Sequence, residues 1–401
     1  LTEERLVREA QELHRLGRVP EAIEAYERAL AQRPDLAECW FNLAVLLRQQ
    51  RQLTRALAAY QRALDYGIAC PEEVHLNRGV IYSDFLRDET SAEHELTRAL
   101  ELNPSYIPAL LNLANLNEDL GRREQAGALY ERILALDARC LEALARFANL
   151  QPPNGQLVGR LQEALRTPAT AAEHASVLFA LGRQLDGTQQ FAAAFEAYTA
   201  ANAASRASVP PGMASYNRKR QEELVDGLIG NHGPAPAAAH DSSPQRAPGD
   251  PVVGNDSGPR PTSATRAVAN DSRPQPIFIC GMFRSGSTLI EQVLAGNPQV
   301  VAGGELDLLP RLAATPTPAA AEAYRDELQR LFPGATYVTD KRPDNFLHIG
   351  LIKSLFPDSR IVHTTRDPLD NCLSIFFLHL DHSMSYALDL LDIGHYFRQY
   401  R

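Results

Sequence analysis

The sequence predicts an all-helical repeat array followed by an α/β unit built on a parallel sheet. Three observations predict this. A pattern of small and aromatic residues recurs at near-constant spacing through positions 1–205. A stretch rich in Pro, Gly, Ala, Ser and Asp interrupts the chain at 231–275. From 276 onward, short apolar runs alternate with amphipathic helical patterns, as they do where parallel strands are covered on both faces.

The array comes first. Ala22 and Tyr26, Ala56 and Tyr60, Ala92 and Leu96, and Ala126 and Tyr130 fall in step, with Ala-to-Ala spacings of 34, 36 and 34. Ala10, Ala44 and Ala114 lie twelve residues before their partner Ala, and Ala29, Ala63 and Ala99 lie seven after it. Pro34 and Pro104 close two of the units, and a fifth copy recurs as Gly182, Ala194, Tyr198 and Ala201. Small residues let the two helices of a hairpin approach closely, and the aromatic fills the gap beside them. One hairpin cannot bury its own apolar face, so several must stack. One or two residues are inserted near Asp88, and 141–180 reads as helical without keeping the period. The array resembles the tetratricopeptide repeat. That resemblance implies an α-solenoid over 1–205 whose groove binds a protein partner, or presents a protein or small-molecule acceptor. The other use open to it is bracing a neighbouring domain or forming a homodimer.

Residues 206–275 read as a helix and a flexible Pro/Ala/Ser-rich linker. SYNRKRQEELVDGLIG is amphipathic, with its RKR on a solvated face. The 231–275 stretch has almost no large apolar residue and cannot offset its ordering entropy by burial. In the α/β unit, PIFICG is a buried strand and SGSTLIEQVLAGNP a helix stopped by Gly296 and Pro298. QVVAGG is a second strand, AAEAYRDELQRLF a helix, TYVTD a strand and FLHIGLIKSLFP a helix. RIVHTTRDP is the last strand and LDNCLSIFFLHL its helix. DIGHYFRQYR is a final amphipathic helix whose aromatics pack on the sheet.

The run Gly281-Met282-Phe283-Arg284-Ser285-Gly286-Ser287-Thr288 sits where the first strand turns into a helix. Its two glycines permit a tight turn and close backbone approach. The turn and the first helical residues then aim unpaired N–H groups at one point, where the helix dipole also favours an anion. The spacing is that of a P-loop, except that Ser287 stands where a nucleoside triphosphatase needs its lysine. The cation has moved to Arg284, which favours a ligand with a shorter anionic group at its 5′ end.

FICGMFRSGSTLIEQVLAGNPQVVAGGEL resembles the 5′-phosphosulfate loop of sulfotransferases that use 3′-phosphoadenosine 5′-phosphosulfate (PAPS). IVHTTRDPLDNCLSIFF resembles their 3′-phosphate motif, an Arg after a strand with a Ser eight residues on. The plan resembles bacterial proteins that fuse tetratricopeptide repeats to a sulfotransferase domain similar to tyrosylprotein sulfotransferases. The resemblance implies a P-loop-like parallel-sheet sulfotransferase domain over 276–401 and PAPS as co-substrate. Gly281, Arg284, Ser285, Gly286, Ser287 and Thr288 would hold the 5′ end, and Arg366 and Ser374 the 3′-phosphate. Arg366 at a strand's carboxyl end suits a phosphate through its fork of donors. The resemblance further implies Glu305 as the base, 21 residues beyond the loop arginine, and Lys341 as the cation for the leaving oxygen. Arg284 would touch the transferring group. The acceptor would be a hydroxyl or an amine, with protein tyrosine, a sugar, a lipid and a small phenol all open. Asp307 is the weaker choice of base, and Arg342 reads as structural.

Two departures stand out. Phe283 occupies the place where the family usually has Pro, which would fix φ and stiffen the loop. The unit ending at Arg401 is also shorter than such domains usually are, so a C-terminally truncated domain is expected, from a fragment or a degenerate copy. A non-catalytic tetratricopeptide scaffold is the alternative function.

Composition bounds the rest. The 401 residues are 44% hydrophobic and 22% charged, which is globular usage. A net charge of −9 gives no general attraction to nucleic acid or an anionic membrane. Five cysteines (39, 70, 140, 280, 372) without a C-x-x-C pair argue for a reducing compartment and against a zinc ribbon. There is no membrane-spanning apolar run and no basic-then-apolar leader, so a cytoplasmic location is expected. The chain opens on Leu rather than Met, so coding sequence upstream is expected. His379, Asp381 and His382 lack further ligands at recognisable spacing, and no metal is expected.

Overall fold

The computed structural model describes residues 3–213, 215–232, 273–313, 317–380 and 383–401. Most of the 231–275 stretch, and Asp381 and His382 of the H-x-D-H cluster, lie outside the described residues. The chain divides into two compact units, Leu1–Ser208 and Val209–Arg401.

The first unit is a row of helical hairpins. They pair α1 (Glu3–Arg15) with α2 (Val19–Gln32), α3 (Ala37–Gln49) with α4 (Leu53–Asp65), α5 (Pro71–Val80) with α6 (Glu89–Leu102), and α7 (Ile107–Asp119) with α8 (Arg123–Leu136). Then come α9 (Leu141–Leu150), α10 (Gly155–Ala164), α11 (Ala171–Gly187) and α12 (Phe191–Ala207). The pattern residues make the core: Ala22, Ala56, Ala92 and Ala126 are fully buried, as are Tyr60 and Tyr130. The inserted residues of the third repeat are absorbed by a π-helical turn, Ile81–Leu86, which ends on Arg87 in the left-handed region at φ 55°. A π-turn adds a residue to a helix without breaking its backbone ladder. Gly79, thirteen residues before Ala92 rather than twelve, takes the small-residue place. A Cβ on it would lie 2.9 Å from Leu96 Cγ, and one on Gly182 would lie 2.8 Å from the Tyr198 ring.

The second unit opens with α13 (Arg218–His232), which packs on the last helix, α19 (Leu390–Tyr400). The sheet holds β1 (Gln275–Gly281), β2 (Val300–Val301), β3 (Tyr337–Lys341) and β4 (Arg360–Thr364), all parallel, in the order β2-β3-β1-β4. Ile279 pairs with Lys341 and Gly281 with Thr364, so the carboxyl ends of the three longer strands lie side by side. Crossovers are made by α14 (Ser287–Ala295), α15 (Leu308–Ala313), α16 (Pro318–Leu331) and α17 (Ile349–Leu355), and α18 (Pro368–Phe376) follows β4. Phe278, Tyr324, Val338, Ile352 and Phe356 form the core between the sheet and its helices. The strand expected over QVVAGG is cut to two residues. Gly303 turns down onto β3, where a Cβ would lie 2.2 Å from the Thr339 carbonyl oxygen, and it cannot continue the ladder. The final helix sends Tyr400 onto β4, where its ring packs against His363, while Tyr396 stacks on Tyr386.

Candidate functional site

The site lies at the carboxyl ends of β1, β3 and β4, where open parallel sheets leave their loops to meet a ligand. Gly281 admits no side chain, because a Cβ would lie 2.4 Å from both the carbonyl oxygen and Oγ1 of Thr364. The Ser285 N–H closes the bend on the Met282 carbonyl at 3.0 Å. Ser285 Oγ and Thr364 Oγ1 share a 2.7 Å hydrogen bond. Arg284 has φ 69° and Gly286 φ 98°. For arginine this left-handed conformation costs about 1–2 kcal/mol, so the surroundings must hold it. Gly286 caps α14 with no side-chain hydrogen bond. The first N–H groups of the helix are thus left for an anion, which the helix dipole also favours. Ser285 and Ser287 are buried around that point, and Arg284 and Thr288 are exposed.

Helix α18 holds the loop from the other side. Asn371 Nδ2 donates to the Phe283 carbonyl at 2.8 Å, and Arg284 Nε donates to Ser374 Oγ at 3.3 Å. The sequence reading assigns Arg284 to one end of a nucleotide and Ser374 to the other. In the fold the two side chains touch, which brings the motif after β1 and the motif after β4 side by side. Arg366 is exposed just before α18, and its ion pair with Asp370 is long, 4.0 Å. Asp367 is committed to capping α18 through the N–H groups of Leu369 and Asp370.

The β2–β3 side brings the remaining groups. Gly304 has φ 68°, and its carbonyl accepts from the Lys341 N–H at 2.8 Å. Glu305 follows, and Lys341 Nζ donates to Glu305 Oε1 at 2.7 Å. The Lys341 side chain is 8% exposed and that of Glu305 54%, so the lysine is buried and the glutamate reaches solvent. Arg342 spans Asp307 and Asp344, which commits the Asp307 carboxylate to an ion pair.

Beside Glu305 is a cleft of about 390 Å³, whose lining includes Phe283, Asp344, Phe346, Tyr386 and Tyr396. Tyr386 and Tyr396 stack with centroids 4.0 Å apart. Tyr216, just before α13, packs edge-on against both and bonds His395 Nδ1 at 2.9 Å.

Sequence reasoning missed several polar residues behind the site. Asp340, fully buried on β3, accepts from Tyr324 OH at 2.7 Å and Asn345 Nδ2 at 3.1 Å. Burial pushes its carboxyl up to about 6. Glu291 on α14 and Asn371 on α18 are also buried. Asn371 shares the buried side of α18 with Ile375 and Phe376, and that apolar company was its one legible signal; the buried residues of α14 are Ser287 and Glu291, so no apolar face marked Glu291. Among the described residues no group of three or more His, Cys, Asp or Glu is placed to hold a metal, and no helix is long and apolar enough to cross a membrane. In the repeat array a separate groove of about 470 Å³ is lined by Leu30, Trp40, Leu43 and Leu47 with Arg55 and Arg62.

The sulfotransferase family model matches residues 276–330 and 314–401, and tetratricopeptide repeat models match 7–73 and 107–140. An uncharacterized protein of Aquifex aeolicus (strain VF5) is 24% identical over 356 residues, 81% of this chain and 41% of the relative. The human protein O-mannosyl-transferase TMTC3 is 25% identical over 119 residues, 30% of this chain and 13% of that protein. The chain therefore spans less than half the length of these curated relatives. Among solved structures, PilW, a widely conserved type IV pilus biogenesis factor, matches 51% of this chain and 93% of its own at 19% identity and a TM-score of 0.40. YrrB, a tetratricopeptide repeat protein with an unusual peptide-binding site, matches 48% of this chain and 89% of its own at 16% identity and a TM-score of 0.33. The chain thus matches the sulfotransferase family over its last third and the tetratricopeptide repeat within its helical hairpins, the repeats coming first.

Proposed function

We infer that the protein moves a sulfuryl group from PAPS to an acceptor hydroxyl, protein tyrosine among the candidates. The observation that supports this reading is the contact between Arg284 and Ser374, 90 residues apart in sequence, which brings the two motifs read as anion-binding side by side. PAPS has two anionic ends and needs two such motifs within reach of one nucleotide. Gly281 and Gly286 shape the bend. The open N–H groups at Gly286, Ser287 and Thr288, with the Ser285 hydroxyl and Arg284, bind the 5′ end, and Arg366 and Ser374 bind the 3′-phosphate. PAPS supplies the sulfuryl group, and the protein's part is positioning and charge stabilisation. Glu305 takes the acceptor proton from the cleft side. Lys341 stands by for charge on the leaving oxygen and is paired with Glu305 until ligands enter.

The repeat array contributes the acceptor or a partner, through a groove such as the one around Trp40, or joins two copies of the chain. All five cysteines are free, which suits a reducing, cytoplasmic setting. Calorimetric titration of the chain with 3′-phosphoadenosine 5′-phosphate tests the donor site. Micromolar binding that is lost in Arg366→Ala supports it. No binding by the chain, with its genomic flanks restored, favours a tetratricopeptide scaffold instead.

A further inference from the structure

Helix α14 does two things with one rigid body. Its N-terminus closes the anion loop, and one turn on it carries Glu291, only 3% exposed. A buried carboxylate is a costly way to pack a helix on a strand unless its oxygens are used. Here Glu291 Oε1 accepts the Gly304 N–H at 3.0 Å and the Thr339 hydroxyl at 2.6 Å. Thr339 Oγ1 in turn accepts the Gly303 N–H at 3.0 Å. Both amides of the glycine pair are thereby fixed, and β2 and β3 provide no ladder partner for either. Gly304 is pinned on its other side as well, by the Lys341 N–H on its carbonyl. The next residue along is Glu305.

The geometry points to Glu291 as a positioning residue that sets the main chain of Glu305 relative to the anion loop. The link is short: loop, α14, Glu291, Gly304, Glu305. The proposal rests on Glu305 being the base. It goes beyond that reading by naming what aims the carboxylate at a reacting group bound on the same helix. A base displaced by about 1 Å can lose on the order of a hundredfold in rate.

The test uses the whole chain as wild type, Glu291→Ala, Glu291→Gln and Thr339→Val. Amide hydrogen exchange of Gly303 and Gly304 is read together with 3′-phosphoadenosine 5′-phosphate affinity, and with turnover of PAPS with 2-naphthol. In Glu291→Ala, Gly304 should exchange at least about tenfold faster. Its kcat should fall about 10–100-fold, with nucleotide affinity and acceptor KM within about threefold. Glu291→Gln keeps an acceptor oxygen and should stay within about threefold of wild type throughout. Thr339→Val, which keeps Glu291, should speed Gly303 exchange and lower kcat less; it carries the test if Glu291→Ala does not fold. Unchanged exchange in the variants overturns the proposal. So does nucleotide affinity that falls in step with kcat, or a Gln variant as impaired as Ala. A wild type that binds no nucleotide sinks the sulfuryl-transfer reading instead, while the exchange result still decides whether Glu291 fixes Gly304.

Discussion

Asn371, fully buried on α18, donates its side-chain amide to the main-chain carbonyl of Phe283, 2.8 Å away. Related loops gain stiffness from a proline at the Phe283 position, and here a long-range hydrogen bond supplies the restraint. Arg284, the next residue, sits at φ 69°, a conformation that needs holding. Asn371→Ala leaves the carbonyl without its partner, which costs about 1–2 kcal/mol. The expected outcome is about tenfold weaker binding of 3′-phosphoadenosine 5′-phosphate by calorimetry, with the repeat array melting as before. Unchanged affinity would mean that the turn through Ser285 and Met282 holds the loop by itself.

Glu305 and Lys341 are in contact at 2.7 Å, so the two groups proposed for proton removal and leaving-group charge neutralise each other before ligands arrive. Glu305→Gln keeps an oxygen for Lys341 and should leave the fold and nucleotide affinity intact. Turnover should fall by about 10²–10⁴-fold, the usual worth of a general base. Wild-type turnover in this variant would remove Glu305 from the base role.

What could be read in the sequence was whatever is periodic or contiguous. Ala22, Tyr26 and their copies mark the hairpins because the packing within a hairpin recurs with every repeat, 34 or 36 residues on. Gly281 to Thr288 mark the strand-to-helix bend because its glycines and their spacing lie within eight neighbouring residues. The contacts that join these pieces were illegible: Arg284 to Ser374, Asn371 to Phe283 and Glu291 to Gly304 each link side chains from different elements, and no spacing rule records them. The shortness of β2 was hidden for the same reason, since it depends on where Thr339 lies beneath Gly303. The π-turn showed as a spacing of 36 with the insertion read near Asp88, but that spacing does not say that a widened helical turn, rather than a longer loop, takes up the extra residues.

Asp340 gives a pH signature. Its carboxyl is raised to about 6 by burial, against about 4 in an unfolded chain. Between those values the folded state binds more protons at Asp340 than the unfolded one, so this group's contribution to stability is fully present below about pH 4 and is lost as pH rises through about 6. The loss has an upper bound of about 3 kcal/mol. Asp340→Asn removes the titration, but its one amide oxygen serves only one of the two donors, Tyr324 OH or Asn345 Nδ2, a cost that does not vary with pH. Denaturant midpoints at pH 4.5 and pH 7.5, compared between wild type and variant, should shift in the variant's favour at the higher pH. An equal difference at both would show that Asp340 ionises freely.

Glycines in the repeat array make the last prediction, because three of them differ only in what surrounds them. Gly79 and Gly182 hold the small-residue column, and a Cβ would lie 2.9 Å from Leu96 or 2.8 Å from the Tyr198 ring. Neither neighbour can give way, since Leu96 and Tyr198 are themselves buried. Overpacking of this kind costs about 1–3 kcal/mol. Gly127 lies in the interior of α8, and its nearest neighbour for a Cβ is Gln151 Nε2 at 3.6 Å, an ordinary contact. There the higher helix propensity of Ala should decide, with a gain of up to about 1 kcal/mol. Thermal melts should therefore place Gly79→Ala and Gly182→Ala below wild type and Gly127→Ala at or above it. The contrast tests the register across the π-turn: if Gly79→Ala is neutral, Val80 rather than Gly79 faces the partner helix and the insertion lies elsewhere.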